Sequence, residues 1–277
     1  MSNEIDKSID TKVVINGIHA HWREWDRRLW QSFVDGSEPD RNILVDVPDV
    51  IKAHPLYEEC QPGDEAARLD VETGAYEAIR KVEAGNIVLD IGAHVGYFAR
   101  KALAAGAWVV AIEPDPRNFR ILSRLLIEYP QQLLVYPFAA GESAGLVELH
   151  RSLFSTQHHL HQGIGWPGTV QESVTVPQLP VDSIMVSDLG NYDPIAFIKI
   201  DVEESELAVL RGLERTLRHA RPFVVVEVSV DMPEIAEYMI GLGYTIQVQK
   251  HIHQQPAPMV TPAAGLWHCT PKEESPC

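Results

Sequence analysis

Four carboxylates in this sequence each follow a short run of apolar residues, namely Asp90, Glu113, Asp201 and Glu227. Such runs are typical of buried parallel strands, and ligands of parallel α/β sheets bind beyond the carboxyl ends of the strands. Four carboxylates at one apolar edge would be costly to bury unless they bound a cation, a metal ion or hydroxyl groups. The sequence therefore predicts that these acids lie on one rim of a sheet and bind a ligand that carries such groups.

The segment 87–113 contains the first two of these acids and reads as one βαβ unit. An apolar strand ending at Asp90 leads into a glycine turn, 92–96, which is followed by apolar residues at helical spacing. A second apolar run then ends at Glu113. The turn and the helix N-terminus of such a unit present backbone N–H groups at the sheet edge, and an acid at the second strand tip can accept both hydroxyls of a ribose. The unit predicts a nucleoside-containing cofactor.

The glycine spacing and the charges distinguish between cofactors. Gly92 and Gly96 are separated by three residues with no glycine at 94, so the dinucleotide pattern G-x-G-x-x-G is not met, and Asp90 would repel a pyrophosphate. S-adenosylmethionine has no phosphate: Asp90 suits its ammonium group, directly or through water, the turn amides suit its carboxylate, and Glu113 suits its ribose. The pattern favours S-adenosylmethionine, with a nicotinamide-dependent oxidoreductase as the alternative.

Composition narrows the partners. The chain has 277 residues, 45% of them apolar, and a net charge of −16 with no basic stripe, so neither nucleic acid nor an anionic membrane is expected as a partner. Cys60, Cys269 and Cys277 lie far apart and are expected to be free thiols. The polar N-terminus does not resemble a signal peptide, and the apolar run 223–230 is too short to cross a bilayer. A cytoplasmic protein is predicted.

The chain divides into three parts. Residues 1–70 form a predicted N-terminal helical extension whose aromatic stripe packs on the main domain, closes over it as a lid, or forms a homodimer contact. In residues 71–270 strands and helices alternate, which predicts an α/β domain with a doubly wound, mainly parallel sheet. An insert at 150–180 is expected to contact the substrate, and residues 271–277 form a loose tail.

Several local predictions lie within this domain. Leu133–Phe138 is predicted to be the third strand, followed by small residues that can accept a flat ring. Val147–His150 is predicted to be an extra strand, and 152–180 an irregular segment because of its glycines and prolines. Leu266–Cys269 is predicted to be a final edge strand.

Three segments together resemble the FkbM family of S-adenosylmethionine-dependent methyltransferases. They are DIGAHVGYF at 90–98, EPDPRNF at 113–119 and FIKIDVEESELAVLRG at 197–212, and the resemblance covers about residues 72–230. It implies a Rossmann-like class I methyltransferase fold, here taken as a seven-stranded sheet. It also implies methyl transfer, mostly to hydroxyls of small metabolites or sugars, with S-adenosylhomocysteine as the product.

The sequence departs from the family pattern at two positions. The family's asparagine is His94 here, which either hydrogen-bonds the cofactor or only shapes the turn. The family's glycine after D-V-E is Glu204. A glycine there would permit a positive φ or a close approach of substrate, and Glu204 is expected to exclude both.

The predicted cofactor-binding residues lie at the strand tips or in the segment that leads into the first strand. They are Glu72, Tyr76, Asp90, Gly92, Ala93, His94, Tyr97, Glu113, Pro114, Asn118, Ala139, Ala140 and Asp201.

A hydroxyl acceptor must lose a proton during methyl transfer, so a base is expected near the acceptor. Asp201 or Glu203 can serve from the tip of the fourth strand, and His158 or His159 from the insert. A divalent metal held by Asp201 and Glu227 is an alternative route, and no metal is expected. The predicted function is O-methylation of a hydroxyl or carboxyl on a small metabolite, sugar or natural product. A non-catalytic cofactor-binding scaffold is a further alternative.

Overall fold

The computed structural model describes residues 81–152, 160, 170–188, 195–249 and 256–272. The predicted N-terminal extension, with its lid or dimer role, lies outside these residues, as does most of the predicted insert.

Eleven strands and seven helices occur in the described part of the chain. The strands are β1 (Ile87–Ile91), β2 (Trp108–Ile112), β3 (Leu133–Tyr136), β4 (Ala139–Ala140), β5 (Gly145–Ser152), β6 (Val170–Leu179), β7 (Ile195–Ile200), β8 (Phe223–Val228), β9 (Tyr244–Gln249), β10 (Ala257–Pro258) and β11 (Gly265–Pro271). The helices are α1 (Tyr97–Ala104), α2 (Pro116–Leu122), α3 (Leu125–Glu128), α4 (Val181–Asp188), α5 (Glu206–Gly212), α6 (Glu214–His219) and α7 (Met232–Gly241).

The main sheet has the strand order β10-β9-β11-β8-β7-β1-β2-β3. The five strands from β8 to β3 run parallel, as predicted, whereas β11 is antiparallel to both β8 and β9, and β10 is antiparallel to β9. The prediction of a seven-stranded sheet was therefore wrong: the sheet is mixed and has eight strands.

The last long strand, β11, is not at the sheet edge as predicted. It lies between β8 and β9, and four successive residues in it are buried, from Leu266 to Cys269. A strand whose side chains are buried on both faces belongs inside a sheet. The short strand β10 is the outermost strand on that side.

A second sheet of three strands has the order β4-β6-β5, and β5 and β6 form a long antiparallel pair. Two predictions were wrong here. Residues 170–179 form a ten-residue strand and not an irregular segment, and the third strand of the main sheet ends at Tyr136. Ala139 and Ala140 pair with β6 instead.

Helices cover both faces of the main sheet. Alternate residues of the parallel strands enter two separate cores, so that Leu89 packs with α5, α6 and α7 while its neighbour Val88 packs with α1 and α2. This two-sided burial explains why the central strands are almost entirely apolar. No helix in the described ranges has the length and apolar character needed to cross a membrane.

A backbone contact joins the tips of β1 and β7. The Asp201 N–H donates to the Ile91 carbonyl at 3.0 Å. Gly92 has a φ of +76°, and a Cβ added there would lie 1.7 Å from the Asp201 carbonyl oxygen. Only glycine fits both the backbone conformation and the space at this position.

We expect Gly92→Ala to lower the free energy of unfolding by about 2–5 kcal/mol, since left-handed backbone strain and steric overlap add together. Chemical denaturation measures the change. Gly241→Ala is the matched control, because an added Cβ there meets no atom within 4 Å. The control should change stability by no more than about 1 kcal/mol, in the stabilising direction. Equal effects of the two substitutions would contradict the close contact.

Candidate functional site

A cavity that opens to solvent lies at the carboxyl ends of β1, β2 and β7, and it spans about 900 Å³ of empty space, which includes open solvent. The smaller sheet contributes one wall through Ala139, Ala140 and Leu149. The predicted site residues that line the cavity are Gly92, Ala93, His94, Tyr97, Glu113, Pro114, Asn118, Ala139, Ala140, Asp201 and Glu203.

The carboxylate of Glu113 joins the turns that follow β1 and β2. Its Oε2 accepts the backbone N–H of His94 at 2.9 Å, and its Oε1 accepts that of Asp115 at 2.8 Å. The Asn118 side chain lies 3.5 Å from Oε1. Burial raises the pKa of Glu113 to about 7, although the hydrogen bond from Asp115 opposes the shift. Glu113 can therefore change its charge near neutral pH.

The turn after β1 uses most of its own N–H groups. Gly92 and Ala93 both donate to the Ile112 carbonyl, His94 donates to Glu113, and Gly96 donates to the Ala93 carbonyl. These four N–H groups are therefore engaged within the protein. Binding of a cofactor carboxylate by the turn amides stays a prediction.

His94 occupies the left-handed region, with φ +52°. Histidine, like asparagine, is enriched there among non-glycine residues, so it can replace the asparagine of the family pattern without changing the turn. The structure assigns its backbone the role of donor to Glu113. A contact between its side chain and the cofactor stays a prediction.

Asp90 lies beneath the cavity and not on its wall. Strand β1 continues to Ile91, so Asp90 is inside the strand, and it is fully buried. Neither of its carboxylate oxygens makes a hydrogen bond of ordinary geometry with a described residue. The Lys199 Nζ is 3.7 Å from Oδ1, and both Lys199 and the Ala99 N–H favour the charged carboxylate. Burial raises the pKa of Asp90, and Lys199 opposes that shift. The predicted direct contact between Asp90 and a cofactor ammonium is not available in this arrangement.

Lys199 lines the cavity and was not predicted from the sequence. Its Nζ is 3.1 Å from Asp201 Oδ2 and 3.5 Å from the Gly92 carbonyl oxygen, and it lies 5.9 Å from the centre of the Phe98 ring. The sequence feature that could have identified Lys199 is that it is the one charged residue in the apolar strand β7. A lysine in such a strand is costly to bury unless it is paired, which marks it as a functional candidate.

The segment after β7 has an unusual backbone. Glu203 and Glu204 both have positive φ, +49° and +67°. The expectation that Glu204 excludes a positive φ was therefore wrong: the chain keeps the conformation that the family's glycine would favour. The Glu204 N–H donates to Glu206 Oε1 at 2.9 Å, and burial raises the pKa of Glu206 to about 7.

The structure describes only one of the five remaining predicted site residues, Glu227. Glu72, Tyr76, His158 and His159 lie outside the described residues. Glu227 does not line the cavity. Within the described ranges, no group of three or more His, Cys, Asp or Glu side chains could hold a metal ion.

Five parallel strands, a cavity at their carboxyl ends, a glycine turn after the first strand and an acid after the second are typical of α/β proteins that bind a nucleoside cofactor. The model of the methyltransferase FkbM domain matches residues 90–246, more than half of the chain. The chain therefore belongs to the FkbM family of methyltransferases, which confirms the resemblance found in three motifs. This membership favours methyl transfer over a nicotinamide-dependent oxidoreductase.

Individual relatives are distant. The hexuronic acid methyltransferase AglP of Haloferax volcanii is 24% identical over 174 residues, which are 62% of this chain and 69% of the relative. The crystal structure of methyltransferase FkbM from Methylobacillus flagellatus KT aligns with a TM-score of 0.49 at 18% identity, over 93% of this chain and 60% of that one. SMU.1697c, a putative methyltransferase from Streptococcus mutans in complex with SAH, aligns with a TM-score of 0.44 at 9% identity, over 73% of this chain and 97% of that one.

The backbone at Glu204 yields a stability prediction. Glu204→Gly should have a free energy of unfolding about 1 kcal/mol higher than that of Glu204→Ala, because both variants lose the same carboxylate but only glycine relieves the left-handed strain. Urea denaturation of the two variants measures the difference. If both unfold at the same urea concentration, position 204 is not strained.

Proposed function

We propose that this protein transfers the methyl group of S-adenosylmethionine to a hydroxyl of a small polar acceptor, with a sugar as the favoured class. The observation that carries the proposal is the cavity wall on which Glu113 lies at the tip of β2 and the Lys199–Asp201 pair lies at the tip of β7. These groups match the two polar ends of the cofactor, its ribose and its amino-acid group.

Glu113 fits the ribose. Its oxygens are already fixed by the N–H groups of His94 and Asp115, so the carboxylate is oriented before a ligand arrives. An ionised carboxylate can accept hydrogen bonds from both ribose hydroxyls, and hydrogen bonds to charged groups are the stronger ones. The apolar wall near Ala139 and Ala140 leaves room for a flat adenine ring.

Lys199 and Asp201 fit the amino-acid end of the cofactor. They present a cation and an anion 3.1 Å apart, which complements a carboxylate and an ammonium group on one carbon. Lys199 offers the cofactor carboxylate a donor that does not depend on the turn after β1. When bound, the cofactor supplies a methyl group activated by its positively charged sulfur.

Positioning and proton removal are then the tasks of the protein. The cavity holds the acceptor oxygen in line with the methyl group, which accounts for much of the catalysis in such displacements. As the oxygen–methyl bond forms, the acceptor proton passes to a carboxylate, for which Glu203 is available on the cavity wall. When bound, the cofactor would give its methyl group to the acceptor oxygen, and its sulfur would keep the electron pair of the broken carbon–sulfur bond.

The charges of the cavity favour a hydroxyl over a carboxyl acceptor. The described residues on its wall include the carboxylates of Glu113, Asp201 and Glu203 but only one lysine, Lys199, which is paired with Asp201. An acceptor carboxylate would meet like charges and would need no base, whereas a hydroxyl needs the base that these acids provide. The hexuronic acid relative supports a sugar, and the hydroxyls of such a sugar are the sites that we propose.

The cofactor assignment predicts a pH dependence centred on Glu113. A protonated carboxyl accepts fewer hydrogen bonds, so affinity for S-adenosylmethionine should weaken as the pH falls from about 8 to about 6 and level off above that range. Glu113→Gln should lower the affinity roughly 10- to 100-fold and remove the pH dependence. Isothermal titration calorimetry across this pH range measures both effects.

Glu128→Gln is the control for this measurement, because Glu128 is an exposed acid whose described partner is Arg100. It should bind like the unmodified protein. Unchanged affinity in Glu113→Gln would refute the ribose assignment. Tight binding of NAD without binding of S-adenosylmethionine would overturn the proposed function.

The acceptor assignment predicts the chemistry of the product. Incubation with a neutral hexose, a hexuronic acid and the methyl ester of that acid should yield methyl ethers, which survive mild alkali, and not methyl esters, which do not. Mass spectrometry before and after alkali distinguishes the two. Glu203→Gln should lower kcat by about 10²–10⁴-fold if Glu203 is the base, with little change in cofactor affinity. An alkali-labile product would contradict the hydroxyl assignment.

Addition of EDTA separates this route from a metal route. Activity that persists in EDTA supports a carboxylate base. Activity that is lost, and that Mg²⁺ restores, would contradict it and direct attention to Asp201 and Glu227.

A further inference from the structure

A chain of ion pairs connects the smaller sheet to helix α2 behind Glu113. Arg151 on β5 donates through Nε to Asp115 Oδ2 and through Nη1 to Glu172 Oε1, the latter at 2.6 Å. Arg117 on α2 binds the same Glu172 oxygen. Arg151 and Asp115 are both buried, so their pair is shielded from water. Nothing in the proposed reaction uses Arg151 directly.

Asp115 connects this ion-pair chain to the cofactor site. Its Oδ1 accepts the N–H groups of Arg117 and Asn118 at 2.7 and 3.1 Å, which caps the first turn of α2. Its own N–H donates to Glu113 at 2.8 Å. Any movement of Asp115 therefore changes the position of Glu113 as well as that of Asn118.

We propose that Arg151 is a positioning residue that acts through Asp115 to hold Glu113 for the ribose, and so couples the β5–β6 hairpin to cofactor binding. This inference rests on the proposed binding of S-adenosylmethionine in the cavity. The hairpin also contributes directly to this site, since Leu149 of β5 lines the cavity. Arg151, two residues after Leu149, therefore connects β5 through Asp115 to Glu113.

Arginine is suited to this place and lysine is not. The guanidinium group reaches two carboxylates at once, Asp115 through Nε and Glu172 through Nη1. A lysine ammonium lacks this planar, forked geometry. The buried Asp115 also requires a cation, because an unpaired buried carboxylate is strongly destabilising.

The electrostatic consequence is specific to Glu113. Burial is the main cause of the raised pKa of Glu113, and the charge of Asp115 raises it further. Arg151 pairs with Asp115 and offsets that charge. Loss of the guanidinium should therefore let Glu113 keep its proton to a higher pH. Other polar groups surround Glu113 and its partner Asp115. His94 and Asn118 contact Glu113, Arg117 and Arg151 contact Asp115, and Glu172 is bound to Arg151. Lys199, Asp201 and Glu203 line the same cavity.

The test compares Arg151→Met with Arg100→Met in the full chain. Arg100 forms an exposed ion pair with Glu128, and it does not line the cavity. Calorimetric titration with S-adenosylmethionine over a range of pH should show about tenfold weaker binding at pH 7 for Arg151→Met. Its pH midpoint should rise by about one unit. Arg100→Met should change neither quantity.

Two further variants keep the test decisive. Arg151→Met combined with Asp115→Asn should return the midpoint toward that of the unmodified protein, because asparagine still caps α2 but carries no charge. If Arg151→Met does not fold, Arg151→Lys should fold, bind weakly and show a smaller upward shift. Thermal unfolding establishes which variants are folded under the assay conditions.

The possible failures are distinguishable. Weaker binding at every pH with an unmoved midpoint would overturn the inference and leave Arg151 a purely structural residue. Unchanged binding in Arg151→Met would overturn it as well. If the unmodified protein does not bind S-adenosylmethionine, the proposed function fails first.

Discussion

The hydrogen bonds to Glu113 are the interaction on which the rest of the site depends. One carboxylate accepts the His94 N–H from the turn after β1 and the Asp115 N–H from the turn after β2, so it fixes two walls of the cavity relative to each other. Burial makes the charge of this carboxylate costly, and the two N–H groups offset part of that cost. The remaining unfavourable energy keeps the pKa of Glu113 at about 7. At neutral pH the charge of a ligand can therefore decide whether Glu113 is protonated.

A second constraint acts between backbones. Because Gly92 lies against the Asp201 carbonyl, the tips of β1 and β7 are in contact, and the Lys199–Asp201 pair lies beside the turn that holds Glu113. The cavity thus receives the Glu113 carboxylate from one strand and the Lys199–Asp201 pair from another.

The sequence predicted the parts of this site that follow from local pattern. Apolar runs that end in Glu113 and Asp201 predicted parallel strands with acids at one rim, and the structure places both on the cavity wall. Asp90 was misplaced because strand length decides whether a residue at a strand end lies inside the sheet or beyond it. Strand order also depends on contacts between distant segments, which is why the central position of β11 was missed. The positive φ of Glu204 is unfavourable for a residue with a side chain, so the sequence argued against it. The surrounding structure holds the backbone in this conformation.

The central claim is that Glu113 binds the ribose of a nucleoside cofactor while Lys199 and Asp201 bind its amino-acid end. The most direct measurement is a crystal structure of the protein with S-adenosylhomocysteine. The account predicts both ribose hydroxyls about 3 Å from the Glu113 oxygens, and the ligand carboxylate about 3 Å from Lys199 Nζ. A ligand whose ribose lies away from Glu113, or that occupies another part of the surface, would contradict it.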